Sequence, residues 1–261
     1  MITWIAFAKT MAAWSDAKVP FTTDPLFESI ALERAEDMAA VPHEAMMDLL
    51  NVNENIALRT CGQYQRIRNG EAEQMPALAA YSGAVFKRIA VRDFDTDDWL
   101  FAQDHLRIMS SLYGILRPLD RISAYRLDAT SVIAYGKTVA ESWRPLLAGP
   151  FISLVKDSGG VLLDLASEEM RLFLDWEQVC SSVRVVKADF YERRSGRLKS
   201  VTMFAKMCRG EMARYVIRNR IDNPGQLTSF TWDGFAYDAS ESTAERMVFV
   251  RQQTPDKSRT V

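Results

Sequence analysis

The chain has 261 residues, 48% of them hydrophobic and 25% charged, and its formal net charge is −2 at pH 7. This composition excludes a disordered or collagen-like chain, and a charge so close to zero indicates no partner by itself. The three cysteines are too widely spaced for a disulfide framework or a metal site. The apolar run of about six residues before Lys9 is too short for a signal peptide or a membrane span. We therefore expect a cytoplasmic protein that contacts no membrane and holds no metal.

Apolar periodicity and turn residues predict the first elements of the chain. Residues 2–7 are apolar and β-prone, which indicates a buried strand, and residues 26–40 have helical spacing. Two further helices are predicted on either side of a cluster formed by Asn51, Asn53 and Asn55. Because Asn adopts left-handed φ more readily than other residues that carry a side chain, this cluster predicts a tight hairpin between the two helices.

The next segment is predicted to contain one extended stretch and one long helix. Residues 79–89 are expected to form a strand or a buried loop. Acidic residues at 95–98 supply an N-cap and an acidic first turn for a helix over residues 99–113. Gly114 and Pro118 are expected to end this helix.

The second half of the chain is predicted to alternate between helices and strands. In chain order we expect a short helix at 141–147, a strand at 161–165, a helix after Ser167, a strand at 183–191 that turns at 194–196 and returns at 198–204, a helix at 205–221, and a hairpin of 235–237 with 246–250. These elements predict an α+β fold, a single compact domain over residues 1–253 with a mixed sheet, surrounding helices and a helix-hairpin-helix element. Residues 254–261 are expected to form a flexible tail.

Charge is unevenly distributed along the chain. Residues 181–221 hold 11 Lys and Arg against 3 Asp and Glu, and the rest of the chain carries a net charge of −10. This segregation favours a basic surface that faces an anion. The alternative is that the same cations pair with acidic neighbours inside the fold.

The helix at the end of this basic segment, AKMCRGEMARYVIRNRI, carries Lys206, Gly210, Arg214 and Arg218 at intervals of four residues. A glycine in the middle of a helix costs roughly 0.5–1 kcal/mol relative to alanine, so it indicates a close helix contact or a ligand at the backbone. Arg209 is suited to phosphate because its planar guanidinium binds two oxygens at once. A solvated basic face without a ligand is the alternative.

Other kinds of site find no support in the residues. The two histidines, His43 and His105, are not near a nucleophile motif, and the glycine-rich phosphate-binding motifs are absent. We therefore assign no catalytic residue, expect no cofactor and hold enzymatic activity to be the less favoured interpretation.

Four motifs together resemble the YaaA family of peroxide stress resistance proteins. They are AKT at residues 8–10, SLYG-LRPLD followed by YRL within residues 111–127, LASEE at 165–169 and AK-x-x-RG at 205–210. The resemblance extends in order over roughly residues 1–250. It implies a cytoplasmic single-domain α+β protein that limits iron-driven oxidative damage during hydrogen peroxide stress. It also implies DNA binding through a basic cleft and a helix-hairpin-helix element.

The matched motifs, with the basic helix and the hairpin, give the predicted site. The DNA- or phosphate-binding residues are predicted to be Lys9, Asn51, Asn53, Arg117, Arg126, Lys206, Arg209, Gly210 and Arg214. The cleft wall is predicted to be Tyr113, Asp120, Tyr125, Asp128, Ser167 and Glu168.

The sequence departs from the family pattern at several positions. Ala6 and Phe7 replace Ser-Pro before the AKT motif, Asp128 replaces a glutamate, and Cys208 replaces an alanine. Asn51 replaces the glycine of the hairpin. Asn can keep the hairpin conformation, but its side chain crowds the approach of a phosphate to the backbone N–H groups. DNA binding by the hairpin is therefore less strongly indicated in this chain than in members of the family that have the glycine.

The leading hypothesis is a monomeric peroxide stress protein that binds DNA mainly through its backbone, with low sequence specificity. The principal alternative is an enzyme that acts on a nucleotide or nucleic-acid substrate in the same cleft. A third hypothesis is a stress protein that acts through a protein partner and does not contact DNA.

Overall fold

A mixed sheet forms the centre of the computed structural model, which describes residues 1–133 and 136–252. The strands in these ranges are β1 (Ile2–Ala6), β2 (Gln74–Pro76), β3 (Leu106–Ser110), β4 (Gly114–Leu116), β5 (Arg121–Ser123), β6 (Val161–Asp164), β7 (Arg184–Arg194), β8 (Arg197–Lys199), β9 (Thr231–Trp232), β10 (Phe235–Tyr237) and β11 (Arg246–Gln252). The helices are α1 (Glu28–Ala39), α2 (His43–Leu50), α3 (Glu54–Arg68), α4 (Ala77–Ala80), α5 (Ala84–Ile89), α6 (Thr96–His105), α7 (Val139–Asp157), α8 (Trp176–Ser182) and α9 (Thr202–Arg218).

The order of strands in the main sheet is β4-β3-β1-β6-β7-β11-β10-β9, and β8 pairs with β7. The five strands β3, β1, β6, β7 and β11 run parallel to one another, while β4, β8, β9 and β10 are antiparallel to their neighbours. The chain leaves β1 toward β3 on one side and leaves β6 toward β7 on the other. In open sheets with parallel strands, such a reversal creates a crevice at the carboxyl ends of the two strands.

The central strands β1 and β6 are largely apolar because helices cover both faces of the sheet. On one face Trp4 packs against Phe151 of α7, with ring centroids 5.3 Å apart, and against Trp176 of α8 at 5.6 Å. On the other face Phe190 of β7 contacts Phe230, 6.4 Å between centroids. Phe230 is in turn in contact with α9. The α+β class and the mixed sheet are therefore as predicted.

The hairpin between α2 and α3 has the conformation that the asparagines predicted. Asn51 lies in the left-handed region with φ of 49°, directly after α2. Asn53 caps α3, and its side-chain Oδ1 accepts a hydrogen bond from the Ile56 N–H at 3.1 Å. A function of this hairpin in DNA binding stays a prediction. The expected tail at 254–261 lies outside the described residues.

The prediction of a long helix at residues 99–113 is wrong. Helix α6 ends at His105, and residues 106–110 form β3 instead. Every residue of β3 is buried, because the strand lies between β1 and β4 in the sheet. Gly114 does not end a helix. With φ of 73° it makes the turn from β3 into β4, where a Cβ would lie 3.2 Å from the side chains of Phe27 and Trp143.

Four further elements differ from the prediction. Residues 79–89 are mainly helical, divided between α4 and α5, and not a strand or loop. The segment after Ser167 is a 3-10 helix, Glu168–Phe173. The returning strand expected at 198–204 is only the three-residue β8, because α9 already begins at Thr202. Helix α7 is much longer than predicted and includes Pro145 and Pro150.

Gly210 has the close helix contact that its position suggested. A Cβ at this residue would lie 2.3 Å from the backbone oxygen of Val85 and 2.7 Å from Cβ of Arg88, both in α5. Helices α9 and α5 therefore touch backbone to backbone. The packing alone explains why glycine occupies this position. None of the helices in the described ranges is both long and apolar enough to cross a bilayer.

We predict that Gly210→Ala destabilises the protein by about 1–3 kcal/mol, because the added methyl group must push α5 away from α9. Gly62→Ala in α3 is the matched control, since a Cβ there would meet nothing within 4 Å. It should stabilise the fold by roughly 0.5–1 kcal/mol through helix propensity. Urea unfolding of both variants measures the two free energies, and equal effects would contradict the contact.

Candidate functional site

A cavity of about 390 Å³ lies at the carboxyl ends of β1 and β6, where the topology predicts a crevice. Its walls come from the segment after β1, the start of α5, the segment after β6 and the first half of α9. The polar side chains that line it are Lys9, Thr10, Ser167, Glu169, Lys206 and Arg209.

Two glycines bring the walls of the cavity together. A Cβ on Gly83 would lie 2.7 Å from Cβ of Ala8, so only glycine lets α5 begin directly against the segment after β1. Gly210 allows α9 to lie equally close to α5, next to Val85. Since Arg209 precedes Gly210, this contact fixes its side chain at the cavity.

Arg209 and Lys206 have no hydrogen-bond or ion-pair partner among residues 1–133 and 136–252. Nε of Arg209 is buried without a partner, although most buried polar groups in proteins are paired. Burial lowers the pKa of the Arg209 guanidinium, and the nearby carboxylates of Asp164, Asp189 and Glu168 oppose this shift. Lys206 is exposed on the rim. Both cations are therefore available to an anionic ligand.

The third cation of the cavity, Lys9, is held by Asp128. Lys9 Nζ donates a hydrogen bond to Oδ2 of Asp128 at 2.6 Å, and the two side chains are 52% and 13% exposed. The other carboxylate oxygen, Oδ1, is buried and has no partner within the described residues. Glu169 is the one carboxylate among the lining side chains. The lining therefore has more positive than negative charge.

A buried ion pair shapes the wall that follows β6. Oδ2 of Asp164 accepts a hydrogen bond from Arg171 Nη2 at 2.8 Å, and Oδ1 accepts one from the Ala166 N–H at 3.0 Å. Burial raises the pKa of the Asp164 carboxyl even though Arg171 favours its charged form. Arg171 also lies over the ring of Trp176, 4.7 Å from its centroid. Asp164 thus anchors the turn that presents Ser167 to the cavity.

Five of the predicted residues are brought together here. Lys9, Ser167, Lys206 and Arg209 line the cavity, and Asp128 is attached to it through Lys9. Glu168 is next to the lining but points outward. Its side chain is 77% exposed and lies 3.4 Å from Lys187.

The predicted tyrosines form a buried layer instead of a wall. The hydroxyl of Tyr125 is 2.9 Å from that of Tyr81 and 2.8 Å from Oγ of Ser110. Tyr113 accepts a hydrogen bond from the Ser123 N–H at 3.1 Å, and burial raises its pKa to about 12. The hydroxyls of Tyr125, Tyr81 and Ser110 therefore satisfy one another in the core, that of Tyr113 is bound by the backbone, and neither predicted tyrosine is a lining residue.

Arg117 and Asp120 lie outside the lining of the cavity and hold a loop in place. Asp120 is 1% exposed and accepts hydrogen bonds from Arg117 Nε at 3.0 Å and from Thr23 Oγ1 at 2.6 Å. Arg117 Nη2 also donates to the backbone oxygen of Asp24 at 3.0 Å. All of these contacts fasten the segment before α1.

Residues 126–131 connect the hairpin to the cavity. The hydroxyl of Tyr64 in α3 donates to the backbone oxygen of Arg126 at 3.0 Å, and Oγ of Ser131 donates to the oxygen of Leu49 at 3.1 Å. Between these two anchors, Asp128 holds Lys9. Arg126 itself does not line the cavity, and its Nε is buried without a partner in the described part of the chain. Asn51 and Asn53 remain on the hairpin.

Six of the 11 cations of the basic segment pair with carboxylates, five of them with carboxylates outside the segment. Arg214 Nη2 is 2.6 Å from Oδ2 of Asp93, while Arg218 and Arg220 both bind the buried carboxylate of Asp98. Internal pairing, the alternative interpretation of the charge segregation, therefore holds for these positions. Lys206 and Arg209 are the members that face the cavity.

Several residues that build the site were not predicted from the sequence. Phe7, Gly83, Glu169 and Met170 line the cavity, and Arg171 supports it through Asp164. Glu169 lies within the LASEE motif and Phe7 directly before AKT, so closeness to a motif was the available signal. Gly83 gave no signal, since its partner Ala8 is distant in sequence. Within the described residues, His, Cys, Asp and Glu side chains do not gather in groups of three or more that could hold a metal ion.

Residues 1–241 match the family model described as "Peroxide stress protein YaaA". The chain belongs to the YaaA family. A UPF0246 protein of Phocaeicola vulgatus is 41% identical over 251 residues, which cover 95% of this chain and 98% of the relative. UPF0246 proteins of Bacteroides thetaiotaomicron and Crocosphaera subtropica are 41% and 32% identical, over 96% of this chain in both cases and over 98% and 100% of the relatives. The resemblance drawn from the motifs is confirmed, and the YaaA family is one of peroxide stress proteins.

The carboxylate of Asp98 ties α6 to the end of α9 and gives a prediction on pH. Burial alone would raise its pKa, but hydrogen bonds from Arg220, from the Asp95 N–H and from Arg218 outweigh burial and lower the pKa. A lowered pKa means that the charged carboxylate stabilises the fold above the pKa of the unfolded chain. This stabilisation is lost as the pH falls through the lower pKa of the folded state.

Asp98→Asn should therefore lower the free energy of unfolding by about 1–3 kcal/mol at neutral pH. The difference from the wild type should shrink below about pH 4, the ordinary range of a carboxyl group. Asp97→Asn, an exposed neighbour in the same helical turn, should change stability by about 0.5 kcal/mol or less. Urea unfolding between pH 3 and pH 7 tests this, and a deficit that does not depend on pH would contradict it.

Proposed function

We propose that this member of the YaaA family acts in the cytoplasm during peroxide stress by binding DNA with low sequence specificity, and so limits iron-driven damage. The observation that carries the proposal is the cavity wall, where Lys206 and Arg209 face an open crevice without partners in the described residues. Cations that have no carboxylate partner do not have to break an ion pair before they bind phosphate. Their binding releases counterions from the DNA, and this release favours the complex.

Contacts to phosphate are favoured over contacts to base edges. Base readout in the major groove usually needs an exposed helix or strand pair that carries Arg, Asn or Gln. Helix α9 is pressed against α5 at Gly210, and its cations Arg214 and Arg218 are bound to Asp93 and Asp98. A helix held in this way cannot enter a groove, so low sequence specificity follows.

The hairpin offers a second, weaker contact. Its backbone N–H groups at the start of α3 are the kind of donor that holds phosphate. The N–H of Ile56, however, is already bound by the side chain of Asn53, and Asn51 places a side chain where the family has glycine. Residues 126–131 join this hairpin to Lys9, so one strand of DNA could contact both places.

Thiol chemistry at Cys208 is not favoured as the response to peroxide. Cys208 is fully buried in α9, and burial raises the pKa of its thiol. Peroxide reacts with the thiolate of an accessible cysteine, which this environment disfavours. Binding is therefore a better account of the role in stress than oxidation of Cys208.

A second candidate function is catalysis on a nucleotide or nucleic-acid substrate in the same cavity. It is favoured by the unpartnered Oδ1 of Asp128, held beside Lys9 at the cavity. Such an oxygen can accept a hydrogen bond from a substrate hydroxyl or a water molecule. Turnover of DNA or nucleotides that Asp128→Asn abolishes while binding persists would select this candidate. Binding without any product would exclude it.

We predict that the affinity for a short duplex falls steeply as salt rises from about 50 to 200 mM. Lys206→Ala and Arg209→Gln should each weaken binding for all sequences alike and reduce the slope of log K against log salt by about 1. Lys156→Ala removes one exposed charge from the last turn of α7, which leads into the amino end of β6, away from the cavity. It should leave the slope unchanged. Fluorescence anisotropy of labelled DNA gives the slopes.

If Lys206→Ala and Arg209→Gln both keep the salt slope of the wild type, the cavity is not the DNA surface. No binding of the wild type at about 50 mM salt would reject the proposal altogether.

A further inference from the structure

The cavity at the carboxyl ends of β1 and β6 is lined by two chemically different kinds of side chain. Arg209, Lys206 and Lys9 are cationic, whereas Phe7 and Met170 are apolar. A ligand that uses both kinds of side chain must carry an anionic group together with an apolar, planar or flexible surface.

We infer that this cavity is a binding site for a single nucleotide unit, with the phosphate on Arg209 and Lys206 and the base against Phe7. The inference rests on the proposed function, because it names the part of the nucleic acid that enters the crevice. It goes further in assigning the cavity to one nucleotide and in giving Phe7 a role in recognising the base.

The size of the cavity supports one nucleotide rather than a base pair. A volume of about 390 Å³ falls in the range of pockets that enclose a small molecule. A base pair with its two backbones cannot enter such a space. Duplex DNA would therefore reach the cations of the cavity only with its backbone phosphates, and none of its paired bases would enter.

The position of the polar groups supports a phosphate at one end. The guanidinium of Arg209 lines the cavity, and such a planar group can bind two phosphate oxygens side by side. Lys206, one helical turn before Gly210 in α9, adds a second positive charge on the same side. In open sheets with parallel strands, the crevice at the point where strand order reverses is the usual place for such ligands.

The apolar side chains indicate that the ligand carries a base in addition to a sugar phosphate. Phe7 is half-buried and lines the cavity directly after β1. Every base has a π-face that can stack on an aromatic ring, and Met170 is a polarisable, flexible neighbour. Ser167, Thr10 and Glu169 supply hydroxyl and carboxylate groups for the sugar or the base edge.

The nucleotide can come from two sources, a free nucleoside monophosphate or an unpaired nucleotide of a DNA strand. A stacked nucleotide must first leave the duplex, which costs a few kcal/mol and least where the base is already unpaired. The shared chemistry is the nucleoside 5′-phosphate unit. An experiment with both free nucleotide and DNA separates the sources.

The test titrates the full-length protein with 2′-deoxyadenosine 5′-monophosphate and, separately, with 2-deoxyribose 5-phosphate, which lacks the base, in a calorimeter at low salt. We expect the nucleotide to bind about tenfold more tightly than the sugar phosphate, from stacking on Phe7. Phe7→Leu should remove most of this ratio, and Arg209→Gln should weaken both ligands about tenfold or more. Lys156→Ala should change neither titration.

The outcomes separate this inference from the proposed function. If DNA binds but the nucleotide does not, the single-nucleotide site is wrong and DNA binding stands. If the nucleotide binds and DNA does not, the site is right and its source is a free nucleotide. Binding of both, with displacement of labelled single-stranded DNA by the nucleotide, assigns the site to an unpaired nucleotide of DNA. Equal affinity for nucleotide and sugar phosphate, or wild-type binding by Arg209→Gln in a variant that unfolds like the wild type, overturns the inference.

Discussion

The arrangement of the site depends on the backbone contact between α5 and α9. At Gly210 the two helices approach so closely that no side chain fits between the glycine and the oxygen of Val85. The contact places the preceding residue, Arg209, over the carboxyl ends of β1 and β6. Two residues before Val85, Gly83 lies against Ala8 at the start of α5, so the same short helix positions both the segment after β1 and the basic helix. Without these two glycines the cations of α9 would not reach the crevice.

Electrostatics then distinguishes the cations that support the fold from those that face the cavity. Arg214 and Arg218 have carboxylate partners, Asp93 and Asp98, in the segment around the start of α6. Such pairs relieve the burial of Asp98 and hold α9 in place, which leaves them unavailable to a ligand. Burial disfavours the charge of Arg209 and lowers its pKa, and Arg209 has no partner in the described residues. An anion that enters the cavity would relieve this cost, and this is the physical basis of the phosphate binding proposed above.

Local signals in the sequence predicted the local parts of the structure. The asparagines at the hairpin predicted a left-handed residue, which is Asn51, and the mid-helix Gly210 predicted a close contact. Properties that depend on distant neighbours were not predictable in the same way. Residues 106–110 have a helical pattern on their own and become β3 because β1 and β4 lie on either side. The partner of Arg214, Asp93, is 121 residues away, so its charge could not be assigned from sequence alone.

The central motif between residues 111 and 128 shows why a motif cannot be assigned to a site as a whole. Its first part is structural, since Tyr113 closes a buried hydroxyl layer and Asp120 fastens the loop before α1 through Arg117. Its last residue, Asp128, leaves the core and holds Lys9 at the cavity. The two parts are linked by Tyr125, whose hydroxyl lies in the core layer three residues before Asp128. The buried layer therefore sets the position of Asp128, and through Lys9 it affects a cavity that it does not line.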